Sequence, residues 1–227
     1  MVDLTASTQS DLAELVNSSV AKSGEVIAAE FQSNGRGRLD RTFEAPPQSA
    51  LLFSFYISPK RARSEWSFIS FLAALAMRDV ITENLAENTS LKWPNDILIG
   101  DKKVAGLLAQ QIGDGVIIGI GINVAMGADE LPVPTATSLA LAGSNNLDRN
   151  LLLSAFLKDN GFPKAYSADR VREEVRNGKL KPSDIALYLY NANDDLFDTP
   201  VVGPEVFRSD DGGQTWSKTH TGFLDDI

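Results

Sequence analysis

Between residues 90 and 124 four apolar runs of strand length follow one another with turns of only two or three residues between them. The runs cover residues 90–93, 97–99, 104–111 and 116–124, and the punctuation is Pro94-Asn95-Asp96, Gly100-Asp101 and Gly113-Asp114-Gly115. Strands joined so tightly pair antiparallel, because a parallel return needs a crossover of about a dozen residues or more. This stretch therefore dictates a meander. Two further strands are expected at residues 25–31 and 50–57 (ALLFSFYI, after Pro46-Pro47). Helical spacing of Leu12, Leu15, Val16 and Val20 predicts a first helix, capped by Ser7 or Thr8 and closed by Gly24. A second, capped by Ser64, carries the stripe Trp66, Ile69, Leu72, Ala73, Ala76 and Val80 and ends near Glu87; a third begins at Leu151. The expected class is α+β: a mixed, mostly antiparallel sheet flanked by helices.

Composition removes most catalytic classes. The chain has no cysteine and one histidine, His220, so thiol nucleophiles, Cys zinc sites and a Ser-His-Asp triad in the first 200 residues are all excluded. No metal site is expected from the protein's own residues. A net charge of −9 provides no general positive field for nucleic acid or anionic lipid, so any grip on phosphate must be local. The N-terminus lacks the pattern of a secretory signal and no apolar run reaches membrane-spanning length, which leads us to expect a cytoplasmic protein that binds no membrane.

Local cations do occur. Gly35-Arg36-Gly37-Arg38, with Arg41 close behind, sets guanidinium groups on a loop whose glycines admit close backbone approach, an arrangement suited to an anion. Lys92-Trp93-Pro94-Asn95-Asp96 and Lys103-Val104-Ala105-Gly106 put two lysines on neighbouring strands of one hairpin system, able to face one cleft. Gly106, Gly119 and Gly121, inside strands and followed by Asn123, mark close approach of a ligand to backbone. Cations and smooth walls without a nucleophile suit phosphoryl or nucleotidyl chemistry performed by positioning and charge stabilisation.

The ordered set STQSDL at Ser7, EFQSNGRGR at Glu30, LKWPNDILIGDKKVAGLL at Leu91, GIGINV at Gly119 and ATSL at Ala136 resembles the catalytic domain of biotin protein ligases, over about residues 3–159. The resemblance implies a biotin/lipoate ligase fold of class II synthetase type and a two-step reaction. Biotin and ATP give biotinyl-5′-adenylate, and a lysine of a biotin carboxyl carrier domain then takes the biotin. It further implies that Ser7, Thr8, Gln9, Gln32, Gly35, Arg36, Gly37, Lys103 and Gly106 bind biotin, and that Arg38, Arg41, Phe43, Asn95, Lys103 and Asn123 bind nucleotide. Lys103 and Arg38 would neutralise charge growing on the α-phosphate, with Mg²⁺ arriving on ATP to clamp the leaving pyrophosphate.

Three residues depart from the family pattern: Gln9 for Asn, Phe43 for Trp, and Asp40 for the glycine between Leu39 and Arg41. Asp40 sets a negative charge among cations meant for phosphate, so weakened nucleotide binding and impaired activity are expected. From about residue 160 nothing matches the family's C-terminal barrel. The segment 160–227 reads as a separate β-rich appendage with a charged helix at 168–176 and an Asp-box, Ser209-Asp210-Asp211-Gly212-Gly213-Gln214-Thr215-Trp216, a structural hairpin of β-propellers. Three alternatives to an active biotin ligase follow: a lipoate-type ligase of the same fold, a biotin-binding module without turnover, and a propeller-derived interaction protein.

Overall fold

A computed structural model describes residues 2–38, 41–59, 63, 66, 69–158, 205–208 and 217–221. The chain divides into two compact units, residues 1–159 and 160–227. In the first, α1 spans Thr8–Asn17, β1 Val26–Ala29, β2 Ala50–Ile57, α2 Ile69–Thr82, β3 Thr89–Lys92, β4 Asp96–Ile99, β5 Lys102–Ile112, β6 Gly115–Asn123 and α3 Arg149–Lys158. The six strands form one sheet in the order β1-β2-β6-β5-β4-β3, every named pair antiparallel. The meander forms as its turns require. Beyond β1, residues 2–6 run parallel to 28–34 through bonds such as Val2 N to Ala28 O (2.9 Å) and Ser33 N to Thr5 O (2.9 Å), which delivers Ser7 and Thr8 beside Gln32.

Alternation along the strands separates two faces. Phe53 and Phe55 of β2 point to one, where the Phe156 ring of α3 meets them at 5.4 and 5.6 Å between centroids. The α2 helix lies on the same side and is buried nearly all round, Ala74, Leu75 and Met77 included, a wider apolar surface than the expected stripe. On the other face Leu12 of α1 packs with Tyr56 and Ile117. That helix covers only part of the face, and the uncovered remainder is where the glycines lie.

Helix ends differ from expectation for local reasons. The Ser18 hydroxyl donates to the carbonyl of Glu14 (2.8 Å) and closes α1 well before Gly24, whose φ of 99° instead serves a turn bonded to Tyr56. The Asn84 amide takes the Val80 carbonyl (2.8 Å), ending α2 ahead of Glu87. Ser64 and the 168–176 helix lie outside the described residues. In the second unit β7 (Glu205–Arg208) and β8 (Ser217–Thr221) pair antiparallel, and the Asp-box between them lies outside the described residues. Among the described residues no helix is long and apolar enough to cross a membrane.

Candidate active site

The bare part of the sheet is the floor of a cleft of about 340 Å³, within the usual range for a small-molecule site. Register explains the floor: Gly106 of β5 pairs with Gly121 of β6, and Gly119 of β6 faces Ser54 of β2. Three glycines on adjacent strands thus expose backbone where side chains would otherwise stand.

One wall is the start of α1. Ser7 makes no side-chain cap; the Gln32 carbonyl oxygen replaces it, accepting from Thr8 N (2.8 Å) and Thr8 Oγ1 (3.0 Å). Gln9 is buried, and its amide donates to Leu108 O and Gln110 Oε1, each at 3.4 Å. Uncharged amides and hydroxyls make up this end.

The opposite wall is charged. Residues 35–37 and 41–43 run side by side through Phe43 N to Gly35 O (2.9 Å) and Gly37 N to Arg41 O (2.7 Å). A Cβ on Gly35 would stand 2.3 Å from the Phe43 carbonyl oxygen, which is why glycine is needed there. Arg36, Arg38 and Arg41 are exposed and line the cleft, and among the described residues none of them forms an ion pair. Arg36 Nη1 reaches only Gln110 Oε1, at 3.4 Å. With Lys92 and Lys103 the described lining residues hold five cations against one carboxylate, Asp96. A chain of net charge −9 has concentrated positive charge in one place.

Lys103 reaches this cleft through a backbone irregularity. Lys103 and Gly106 are an odd number of residues apart, so a regular strand would turn them to opposite faces. A bulge between Ile97 and Leu98 in the β4–β5 register leaves Val104 and Ala105 both buried and turns Lys103 to the cleft side. The lysine stem then crosses Gly106, where a Cβ would stand 3.0 Å from Nζ, and Nζ lies 2.6 Å from Asp96 Oδ1. Both groups are partly exposed, at 39 % and 23 %, so the pair is worth at most about 1 kcal/mol and yields readily to a stronger anion. The backbone of Lys103 is held by the ATSL segment through Lys103 N to Thr135 O and Thr137 N to Lys103 O, both 2.8 Å.

Of the expected site residues, Ser7, Thr8, Gln9, Gln32, Arg36, Gly37, Arg38, Arg41, Phe43, Asn95, Lys103 and Gly106 line this one cleft. Gly35 sits behind the loop, buried. The described lining stops at Gly121, two residues short of Asn123, whose buried amide donates to Thr137 O (2.9 Å) and ties the ATSL segment to β6. Lys92 and Lys103 share the cleft from β3 and β5, with β4 between them, so the strands are not neighbours as expected. Asp40 lies outside the described residues. Sequence reading passed over Ser54, Asp96 and Leu108; a serine inside an apolar strand, at a position facing the glycines, was the available signal for the first. Asn95 is held on both sides, its Nδ2 donating to Leu107 O (2.7 Å) and its O accepting from Leu107 N (2.8 Å). Asn95→Ala should therefore lower unfolding stability by about 1–3 kcal/mol, since Leu107 O loses its donor. An unchanged denaturation midpoint would show that the backbone bond alone holds the turn.

Residues 1–125 match the biotin/lipoate A/B protein ligase family. The chain belongs to that family. Among its relatives, the biotin--[acetyl-CoA-carboxylase] ligase of Mycobacterium tuberculosis is 35% identical over 166 residues, covering 70% of this chain and 61% of that protein. The bifunctional ligase/repressor BirA of Bacillus subtilis is 35% identical over 155 residues, covering 65% and 47%. The chain thus spans about half to three-fifths of the length of these relatives. A solved structure of the biotin protein ligase from Aquifex aeolicus in complex with biotin and ATP superposes with a TM-score of 0.64 at 26% identity, covering 97% of this chain and 94% of that one. The six-stranded antiparallel sheet with flanking helices is the fold of this biotin/lipoate ligase.

Proposed function

We propose that the cleft activates biotin with Mg-ATP as biotinyl-5′-adenylate and passes the biotin to a lysine of a carboxyl carrier domain. The observation that carries this reading is the polarity of one cleft: neutral amides and hydroxyls at the α1 end, five cations at the other, and Lys103 aimed at the junction by the β5 bulge. An uncharged ring fits the first end and a polyphosphate the second, with the reacting carboxylate and α-phosphate meeting at Lys103. The carboxylate attacks the α-phosphate, and the bond to pyrophosphate breaks. Lys103 and Arg38 neutralise the charge that develops, and Mg²⁺ enters bound to ATP. As Lys103 turns to the phosphate it releases Asp96, the one carboxylate among the described lining residues, to accept a proton from the attacking acceptor amine as AMP departs.

Phe43, beside Gly121, supplies an aromatic wall for the nucleotide, and Asn95 stands on the same side. The reading places the reaction in the cytoplasm, where Mg-ATP is available. Residues 1–159 serve as the catalytic domain and 160–227 as an appendage that carries the β7–β8 pair. Isothermal titration of the full chain tests substrate choice: biotin should bind with micromolar affinity or better and lipoate should give no heat. Binding of lipoate with exclusion of biotin would overturn the assignment.

A further inference from the structure

The connection between β3 and β4 carries an exposed tryptophan to which the reaction has assigned no part. β3 ends at Lys92 and β4 begins at Asp96, so Trp93, Pro94 and Asn95 make the turn, and these residues all line the cleft. Trp93 is 48 % exposed, whereas Trp66 is 8 % exposed. Among the described residues its ring joins no aromatic pair and carries no cation over its face. An indole left so far in water forgoes much of its burial energy, and tryptophan is among the residues that most often anchor a partner. The turn beneath it is firm. Asn95 is bonded to Leu107 through its side chain (2.7 Å) and its backbone carbonyl (2.8 Å), so the indole stands on a base tied to β5. The same turn delivers Asp96 at its far end, opposite Lys92 in the β3–β4 register.

The position of Asp96 decides what meets this indole. During transfer the biotin ring fills the neutral end of the cleft and the nucleotide fills the cationic end, so the acceptor amine enters from solvent on the Asp96 side. Chain neighbours of the acceptor lysine lie only about 3.8 Å from it between Cα atoms, too close to clear the rim, and one of them must rest on the turn. The cations of the lining repel a basic side chain there, and an indole face gives a carboxylate no partner. We propose that Trp93 is the docking contact for the acceptor: it packs against an apolar side chain next to the acceptor lysine and so brings the lysine amine to Asp96. The amine nitrogen attacks the acyl carbon, the bond to AMP breaks, and Asp96 takes the proton. This deepens the ligase reading above and rests on it.

The test separates the two half-reactions of the full chain. Biotin-dependent exchange of pyrophosphate into ATP, and trapping of the adenylate by hydroxylamine, need no carrier; transfer to a biotin carboxyl carrier domain does. Trp93→Ala should leave exchange and hydroxamate formation within about twofold of wild type, and raise KM for the carrier about tenfold or more with kcat nearly unchanged. Trp93→Phe should recover most of the carrier affinity, and Trp93→Gln takes the place of the alanine variant if that one does not fold. Replacing the apolar neighbour of the carrier lysine by Asp should weaken transfer by wild type about tenfold and by Trp93→Ala only about twofold, a coupling that a fault in folding does not produce. Unchanged carrier kinetics in Trp93→Ala, additive effects of the two substitutions, or exchange that falls in parallel with transfer would each remove Trp93 from the acceptor surface and leave the ligase reading standing. If wild type shows no biotin-dependent exchange, the ligase reading falls and takes this assignment with it.

Discussion

Lys103→Ala is expected to lower biotin-dependent adenylation by about 10²–10³-fold, corresponding to about 2.7–4 kcal/mol of transition-state stabilisation from one aimed charge in a cleft. The fold should survive. Nζ contacts the partly exposed Asp96 and no core residue, so the lost pair costs at most about 1 kcal/mol and the melting temperature should drop by only a few degrees. Biotin affinity should change far less than turnover, because the neutral end of the cleft is untouched. Lys103→Arg keeps the charge and should retain part of the rate. Wild-type turnover in the alanine variant would remove Lys103 from the reaction, and a collapse of the melting temperature would mean that the Asp96 pair is a structural element.

The second large effect is expected at Gly121. A Cβ there would stand 2.8 Å from Cε2 and Cζ of Phe43, whose ring packs on the cluster of Ala45, Ala50, Leu52 and Met126. Valine at this position cannot coexist with that ring. Overpacking costs about 1–3 kcal/mol, and the displaced ring enters the space proposed for the nucleotide. Gly121→Val should therefore lower the melting temperature by several degrees and weaken ATP binding more than tenfold, with biotin affected less. Adding Phe43→Ala removes the clash and should recover part of the stability without recovering ATP affinity. If Gly121→Val melts like wild type and binds ATP normally, the ring moves aside freely and Phe43 is no fixed wall.

How much of this was legible in the residues depends on the range of the interaction that decides each feature. The hairpins were readable because turn chemistry is local, and β2 occupies residues 50–57 as its apolar run and the Pro46-Pro47 punctuation imply. Both helix ends were misplaced because the deciding groups, Ser18 and Asn84, act by side-chain capping that competes with propensity. The glycine floor was legible in Gly106, Gly119 and Gly121, although their adjacency across two strands depends on register. Lys103 could be named from its motif, yet its direction could not be read, since simple alternation sends it to the face opposite Gly106 and only the bulge reverses this. Ser54 and Asp96 were missed for a related reason: each gains meaning from a partner distant in the chain or across a strand, Thr8 for one and Lys103 for the other.

The central claim is that this cleft joins a biotin carboxylate to the α-phosphate of ATP, and isotope exchange between pyrophosphate and ATP reports that step without requiring an acceptor protein. With Mg-ATP and labelled pyrophosphate, the full chain should exchange label into ATP only when biotin is present, and the exchange should fall by about two orders of magnitude in Lys103→Ala. Exchange that is absent with biotin, or that proceeds equally without it, would contradict the account.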